Sequence, residues 1–287
     1  MNSDLIKAIR EKLPNLSKSH KIIAKYVIEH PDSAAYLTAT KLGAVSGVSE
    51  PTVVRFAIEM GFKGYPEMQK ALKEQMRTSM TSVQRVAAAD SIISDGDVLS
   101  KIMNSDAEKI KMTLSEVKRE DFDRAVKMIT EAKNVYIMGI RSASMLASFF
   151  AYHLNIILNN VTILDMTSAG EMLERLMWIT EDDVFIGISF PRYSKRTRNA
   201  VEFARKRGAN ILALTDSIAS PIAEKADCTL IAKSDMASFV DSLVAPLSII
   251  NAITVAVSMN KKEQLSGHLN ELEKIWDEYN VYEKVDK

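Results

Sequence analysis

One segment of the chain concentrates hydroxyl and cationic side chains directly after a short apolar run. The segment ISFPRYSKRTRNA, which starts at position 188, carries five candidate ligand contacts: Ser189, Arg192, Tyr193, Ser194 and Thr197. Hydroxyl groups donate hydrogen bonds to anions, and guanidinium groups pair with phosphate or carboxylate. The segment therefore predicts an anion-binding loop, and a solvated basic loop is the alternative for any single one of its charges.

A second segment has the same character. YIMGIRSAS, from position 136, ends an apolar run with a glycine and then offers Arg141, Ser142 and Ser144. A serine-rich loop at the start of a helix presents hydroxyls, backbone N–H groups and the positive end of the helix dipole to an anion. We expect these three residues to contact the same ligand. Glu171 either contacts a ligand hydroxyl or simply favours the N-terminus of its helix.

Groups for acid–base or metal chemistry are scarce. His153 lies in an aromatic stretch of a predicted helix, which favours a structural histidine over a catalytic base. Neither His153 nor Glu171 has a second acidic or basic residue at a sequence spacing that would bring the two side chains together in a catalytic site. The single cysteine, Cys228, excludes an internal disulfide and leaves no Cys/His cluster for a metal. We therefore expect no catalytic residue, no metal and no cofactor.

A different chemistry is indicated between positions 38 and 63. Gly47 permits a left-handed turn between two short helices, and Val48 is the apolar residue of that turn. Ser49 can cap the second helix and Pro51 suits its first turn. Leu42 and Val45 are expected to bury the first helix. This join of two helices predicts a helix-turn-helix, and an ordinary helical hairpin without DNA is the alternative.

The second helix would place polar side chains in the major groove of DNA. Val53, Phe56 and Ala57 face the core in this prediction, which leaves Glu50, Thr52 and Arg55 toward solvent. Residues at the N-terminus of a recognition helix read base edges, and arginine matches guanine O6 and N7. Further contacts would hold phosphates and fix the register. The predicted DNA contacts are Thr38, Lys41, Ser49, Glu50, Thr52, Arg55, Lys63 and Tyr65.

The predicted elements that position these residues follow two different sequence patterns. Positions 5–76 read as five short amphipathic helices. From position 122 onward, short runs rich in Val, Ile and Leu alternate with helices, which is typical of a parallel sheet covered on both faces. The five predicted strands are NVYIMG, VTILD, DVFIGIS, NILALT and CTLIA. An amphipathic helix with leucines from Leu265 onward ends the chain.

The predicted fold class is therefore α followed by α/β. An all-helical helix-turn-helix domain covers residues 1–77, and a linker rich in Ser, Thr, Ala and Asp covers 78–105. A ligand-binding and oligomerisation domain covers 106–287, with a doubly wound, five-stranded parallel sheet at its centre (122–259).

Composition and charge agree with a folded protein that has a basic first quarter. With 47% hydrophobic and 26% charged residues, the chain is not disordered. Net charge is zero overall, yet residues 1–77 hold 12 Lys and Arg against 8 Asp and Glu, a net of +4. The most apolar run, 243–259, is shorter than the roughly 20 residues of a membrane span and contains a proline. No charged-then-apolar signal opens the chain, so we expect a cytoplasmic location.

The helix-turn-helix segment resembles the N-terminal domain of the RpiR family of regulators. SGVSEPTVVRFAIEMGFKGYPEMQKAL follows that family's pattern A-G-V-S-x-[AP]-T-V-x-R-F-x-x-x-L-G-[FY]-x-G-[FY] closely, with Met60 at the position where Leu is commoner. The resemblance covers positions 5–76 and implies binding of operator DNA as a dimer. It also implies a SIS (sugar isomerase) domain next. The family's loop G-x-G-x-S-x-x-x-A is matched at Gly139 and Ala147, with Arg141 at the second glycine position.

Three functions follow as hypotheses. The first is transcription regulation, as repressor or activator, by a homodimer or homotetramer whose operator affinity is controlled by a sugar phosphate or related anionic carbohydrate. The second is an aldose–ketose isomerase of sugar phosphates with an accessory helical domain, which would need Glu171 or His153 as base. The third is a dimerisation module whose pocket binds nothing. We favour the first and expect no enzyme activity.

Overall fold

The computed structural model describes residues 5–79, 81, 83–86, 97–164, 168–235 and 240–283. The chain divides into two compact units, 1–102 with 236–241, and 103–235 with 242–287. Residues 80, 82 and 87–96 of the predicted linker lie outside the described residues, as do Asp165 of the second predicted strand and residues 236–239.

The first unit is helical. Its helices are α1 (Leu5–Lys12), α2 (Lys18–Glu29), α3 (Pro31–Ala34), α4 (Ala39–Ser46), α5 (Glu50–Glu59) and α6 (Tyr65–Ser79). Local signals explain the boundaries: the Ser17 hydroxyl accepts from His20 N at the start of α2, and prolines occupy the first turns of α3 and α5. The five predicted helices are confirmed, and α3, a single turn, is additional. Ile9, Ile23, Leu42, Phe56 and Met68 are among its fully buried side chains.

One buried position of the first unit differs from the prediction. Val45 is 52% exposed, whereas Ser46 is buried beside Leu42. The expectation that Val45 buries α4 was wrong, because the last turn of this eight-residue helix turns its other face to the core.

The second unit is an α/β domain. Its helices are α7 (Val98–Glu116, which begins in the first unit), α8 (Arg119–Glu131), α9 (Ser142–Leu158), α10 (Ala169–Leu176), α11 (Lys195–Lys206), α12 (Val244–Asn260) and α13 (Lys262–Glu278). Its strands are β1 (Val135–Gly139), β2 (Val161–Ile163), β3 (Val184–Ile188), β4 (Asn210–Thr215) and β5 (Cys228–Ile231). All five predicted strands are present.

The sheet is parallel throughout its five strands, in the order β2-β1-β3-β4-β5. Every residue of β1 and β3 is buried, because helices cover both faces of the sheet. One face packs against α8, α9 and α12, and the other against α10 and α11. The predicted doubly wound fold is therefore confirmed.

The structure also bears on membrane insertion. None of the described helices is by itself both long and apolar enough to cross a membrane. The consecutive pair α12 and α13 meets the length and composition criteria only jointly, and it is bent by 98° at its break.

Candidate functional site

The first candidate site is the pair of helices α4 and α5. The Thr38 hydroxyl accepts a hydrogen bond from Lys41 N and so begins α4. Gly47 ends that helix at φ +67°, ψ +31°, the left-handed conformation that a side chain disfavours. Ser49 then takes an extended conformation and Pro51 occupies the first turn of α5. Local sequence alone therefore produces the two helices and the turn that joins them.

The two faces of α5 differ in character. Val53, Phe56 and Ala57 are completely buried in the helical core. Glu50 and Arg55 are exposed and Thr52 is partly exposed. The polar residues that the sequence assigns to base contacts thus lie on the side of α5 away from the core, as predicted.

Hydrogen bonds within the motif hold several of these side chains. Thr40 Oγ1 donates to Glu50 Oε2 at 2.6 Å, which connects α4 to the first turn of α5. The hydroxyls of Ser49 and Thr52 are 2.8 Å apart. Ser49 therefore occupies the N-cap position without capping a backbone N–H through its side chain. These bonds hold the start of α5 in place before any ligand binds.

Arg55 has one contact with its own helix. Its Nε donates to Pro51 O at 3.3 Å, one helical turn earlier, while the residue as a whole is exposed. This contact directs the side chain toward the N-terminus of α5, the end that enters the groove in a helix-turn-helix. The guanidinium of Arg55 therefore lies toward the N-terminal turn of α5.

Tyr65 is not placed as the sequence suggested. Its ring is 3% exposed, and its hydroxyl donates to Leu37 O at 2.7 Å. Burial raises the pKa of this hydroxyl to about 12. The expectation of a phosphate contact is corrected, because the hydroxyl is used to hold the chain just before α4. Lys41 and Lys63, by contrast, are exposed and available for phosphates.

The second candidate site lies where the sheet changes winding direction. The chain leaves β1 toward β2 on one side and leaves β3 toward β4 on the other, although β1 and β3 are neighbours. Gly139 and Ile188, the last residues of the two strands, are register partners. Their helices, α9 and α11, cover opposite faces. A crevice forms at such a switch point, outside the carboxyl ends of the strands, and this is where α/β sheets bind ligands.

The loop after β3 supplies three hydroxyls to this edge. Ser189 is 3% exposed, and its Oγ accepts from Ser194 N at 3.3 Å. Ser194 begins α11, and its Oγ accepts from Thr197 N at 3.2 Å. The Thr197 side chain is fully buried, and its Oγ1 has no hydrogen-bond partner among the described residues. A buried hydroxyl without a partner is costly, so it marks a position where a ligand oxygen can bind.

The same loop contains a link to the end of β4. Tyr193 Oη donates to Asp216 Oδ1 at 3.0 Å, and Thr215 Oγ1 lies 3.3 Å from the same oxygen. Asp216 is 7% exposed. Asp216 is not among the ligand contacts predicted from the sequence, because an aspartate at this place is also a common turn-starting residue. Its position directly after a buried strand was the signal that could have identified it as part of this edge.

The loop after β1 is built by a close approach. A Cβ on Gly139 would lie 2.3 Å from Ala143 O, so only glycine fits at the end of this strand. Arg141 follows with φ +61° and ψ −125°. Ser144 Oγ donates to Arg141 O at 2.6 Å, which uses this hydroxyl within the loop, and Ser142 is exposed. The structure thus brings Arg141 and Ser142 to the same sheet edge as Ser189.

Glu171 and His153 are the remaining candidates from the sequence. Glu171 lies in the first turn of α10, where its N–H donates to Ser168 Oγ at 3.1 Å and its Oε1 is 3.9 Å from the guanidinium of Arg175. His153 lies within α9, in edge contact with Phe149 and Tyr152. Within the described ranges, no group of three or more His, Cys, Asp or Glu side chains could hold a metal ion.

Family models match sequence in both units of the chain. The family model for the helix-turn-helix domain of the rpiR family matches residues 3–79, and that for the SIS domain matches residues 128–256. HexR of Pseudomonas aeruginosa, an HTH-type transcriptional regulator, is 25% identical over 285 residues, 94% of each chain.

Solved structures of known proteins share the fold of this chain. The sugar isomerase domain of an RpiR transcription factor from Sphaerobacter thermophilus is 26% identical with a TM-score of 0.60, over 62% of this chain and 98% of that one. NanR of Vibrio vulnificus, solved in complex with ManNAc-6P, shares the fold at 20% identity and a TM-score of 0.59, over 96% and 99% of the two chains. This chain, with a helix-turn-helix domain followed by a SIS domain, belongs to the RpiR family.

Proposed function

We propose that this chain is a transcription regulator that binds operator DNA through α5. The support is the exposed, polar N-terminal turn of α5, held by the bond from Thr40 to Glu50. Glu50, Thr52 and Arg55 contact base edges in this proposal, and Thr38, Lys41, Ser49 and Lys63 position the phosphate backbone. A protein that binds two DNA half-sites needs two copies of its helix-turn-helix. We therefore propose a homo-oligomer that acts in the cytoplasm, where the operator is.

The ligand half of the proposal is a sugar phosphate or related anionic sugar in the crevice between the loops after β1 and β3. The single observation that carries it is the buried hydroxyl of Thr197, at the positive end of α11, to which no described residue hydrogen-bonds. Ser189 and Ser194 precede it in the same loop, where Ser194 Oγ accepts from Thr197 N and Ser189 Oγ accepts from Ser194 N. A fold neighbour, NanR, binds ManNAc-6P, which supports the same ligand class here. The other proposed contacts are Arg141, Ser142, Ser144, Glu171, Arg192 and Tyr193.

Binding controls DNA affinity by a shift in population. A ligand that binds one arrangement of the oligomer better than another changes the spacing of the two DNA-binding heads. Only a differential affinity for the two arrangements can do this. Effector binding and operator binding are therefore thermodynamically linked, and each must alter the other by the same factor.

Thr197→Val tests the proposal. Valine keeps the shape and removes the hydroxyl, so we expect unchanged or slightly higher stability, because this hydroxyl makes no hydrogen bond to any residue that the structure describes. Affinity for a stabilising sugar phosphate, found by thermal shift with ManNAc-6P and related sugars, should fall about 10- to 100-fold. The matched control is Thr130→Val in α8, whose hydroxyl donates to Val126 O at 2.8 Å.

Two results would reject the proposal. Sugar phosphates and acidic sugars that change neither the melting temperature nor operator affinity of the wild type would reject the ligand half. Equal affinity for any duplex and for random competitor DNA would reject the DNA half. Turnover of an aldose phosphate that Glu171→Gln abolishes would instead support the isomerase hypothesis.

A further inference from the structure

Two arginines have unusual backbone conformations, and both lie in the loops of the crevice. Among the described residues, four that are not glycine have positive φ: Arg141 (+61°), Asn159 (+57°), Arg192 (+64°) and Asn280 (+51°). Asparagine tolerates the left-handed region, because its short side chain can bond locally. Arginine has no such property. Its presence at these positions therefore needs another reason.

Arg141 lies in the loop that follows β1, and its backbone angles fall outside the left-handed helical region. Its φ of +61° and ψ of −125° match the first central residue of a type II′ turn, a position dominated by glycine. Residues held in such sparsely populated regions persist only when their surroundings fix them. Here the carbonyl of Arg141 accepts two hydrogen bonds, from Ser144 N at 3.0 Å and from Ser144 Oγ at 2.6 Å.

The strained backbone gives the side chain of Arg141 no stabilising hydrogen bond within the described part of the chain. The residue is exposed, and no described residue accepts a hydrogen bond from its guanidinium. Glycine would occupy the same backbone without penalty. The strain therefore falls at the carboxyl edge of β1, on a residue whose charged group has no hydrogen-bond partner among the residues that the structure describes.

We propose that the Arg141 guanidinium recognises an anionic oxygen group of the effector, phosphate or carboxylate, and determines which anion the crevice accepts. The inference rests on the proposed function, since it assigns a specificity residue to that crevice. A guanidinium presents a planar fork of donors that fits either anion with two parallel hydrogen bonds. Arg141 thus exchanges stability of the free protein for selectivity toward its ligand.

Arg141→Gly has two effects of opposite sign. Release of the backbone strain should raise the melting temperature of the free protein by about 2 to 8 °C. Affinity for the effector should fall about tenfold or more. A purely structural arginine would not give this combination, because its loss would leave ligand affinity unchanged.

Two further variants separate strain from charge. Arg141→Ala removes the guanidinium and keeps the strained backbone, so it should lose the same affinity without any gain in melting temperature. Asn159→Gly relaxes another positive φ, at the end of α9, and should leave ligand affinity unchanged.

The probes are ManNAc-6P, glucose 6-phosphate and gluconate, titrated by calorimetry against each variant in the full-length protein. Loss confined to the two phosphates assigns Arg141 to phosphate, and loss confined to gluconate assigns it to carboxylate. A wild type that binds at least one probe while Arg141→Gly and Arg141→Ala bind it equally well overturns this inference alone. A wild type that binds none overturns the proposed function and this inference together.

Discussion

Arg85 and Asp241 form a buried ion pair inside the first unit, although 156 residues separate them in the chain. Nη1 of Arg85 donates to both carboxylate oxygens of Asp241, at 3.0 Å each. The side chains are 3% and 15% exposed. The helical turn that carries Arg85 begins with a reciprocal cap, in which Thr81 N donates to Gln84 Oε1 and Gln84 N donates to Thr81 Oγ1.

Asp241→Ala should reduce the free energy of unfolding by about 3 to 5 kcal/mol, because it removes the carboxylate that contacts the buried Arg85 guanidinium. Urea denaturation of the full chain measures the loss. The double variant Arg85→Met, Asp241→Leu should recover most of it, since an apolar pair of similar volume replaces both charges. Asp123→Ala, which breaks the exposed pair with Arg119, is the control and should change stability by less than about 1 kcal/mol. Equal losses in Asp241→Ala and Asp123→Ala would contradict a buried role.

Gly139→Ala should destabilise the second unit by about 3 kcal/mol, because its Cβ would lie 2.3 Å from the backbone oxygen of Ala143. Thermal denaturation followed by circular dichroism tests this. Gly170→Ala is the matched control in α10, where a Cβ meets nothing within 4 Å. That substitution should stabilise by up to about 1 kcal/mol through helix propensity. If the two variants change the free energy of unfolding in the same direction, the predicted clash of a Cβ at Gly139 with the backbone of Ala143 is contradicted.

Arg55→Ala should weaken operator binding by about 1 to 3 kcal/mol and relax the preference at one base pair. Fluorescence anisotropy with the operator and its single-base variants measures both effects. Arg119→Ala serves as control, because this exposed arginine is in α8 of the other unit. A uniform loss of affinity across unrelated DNA sequences would instead mean that Arg55 contacts phosphate.

Ionisation of the Cys228 thiol should make the free energy of unfolding decrease as the pH becomes alkaline. Burial raises the pKa of its thiol from 9.0 to about 11, and Sγ donates to Asp121 O. The folded chain therefore holds this proton more tightly than the unfolded chain does. The stabilisation is fully present below pH 9 and is lost as the pH rises toward 11. The stability difference between wild type and Cys228→Ala should shrink over that interval, and a difference independent of pH would refute the assignment.

Local signals made the secondary structure predictable. The five strands are predictable because each is a short run rich in Val, Ile and Leu between helical segments, and the turn at Gly47 because glycine, a polar cap and proline follow one another within five positions. These features act over a few residues, so they can be read without knowledge of distant contacts.

Side chains at the surface of these elements were less predictable. Tyr65 reads from the sequence as an exposed aromatic beside a glycine, and only its packing against the chain near Leu37 shows that its hydroxyl is used internally. Asp216 reads as a turn residue, and only the alignment of β3 with β4 brings it to Tyr193. In both cases the deciding partner is more than 20 residues away.

The sequence by itself determined the two kinds of domain, the helix-turn-helix and the parallel α/β sheet, since hydrophobic periodicity and turn residues specify local conformation. The tertiary structure decided which loops share an edge, that the Thr197 hydroxyl is buried without a partner in the described part of the chain, and that backbone strain falls on Arg141. Those properties arise from the order of strands in the sheet and from close packing, which join residues that no local pattern relates.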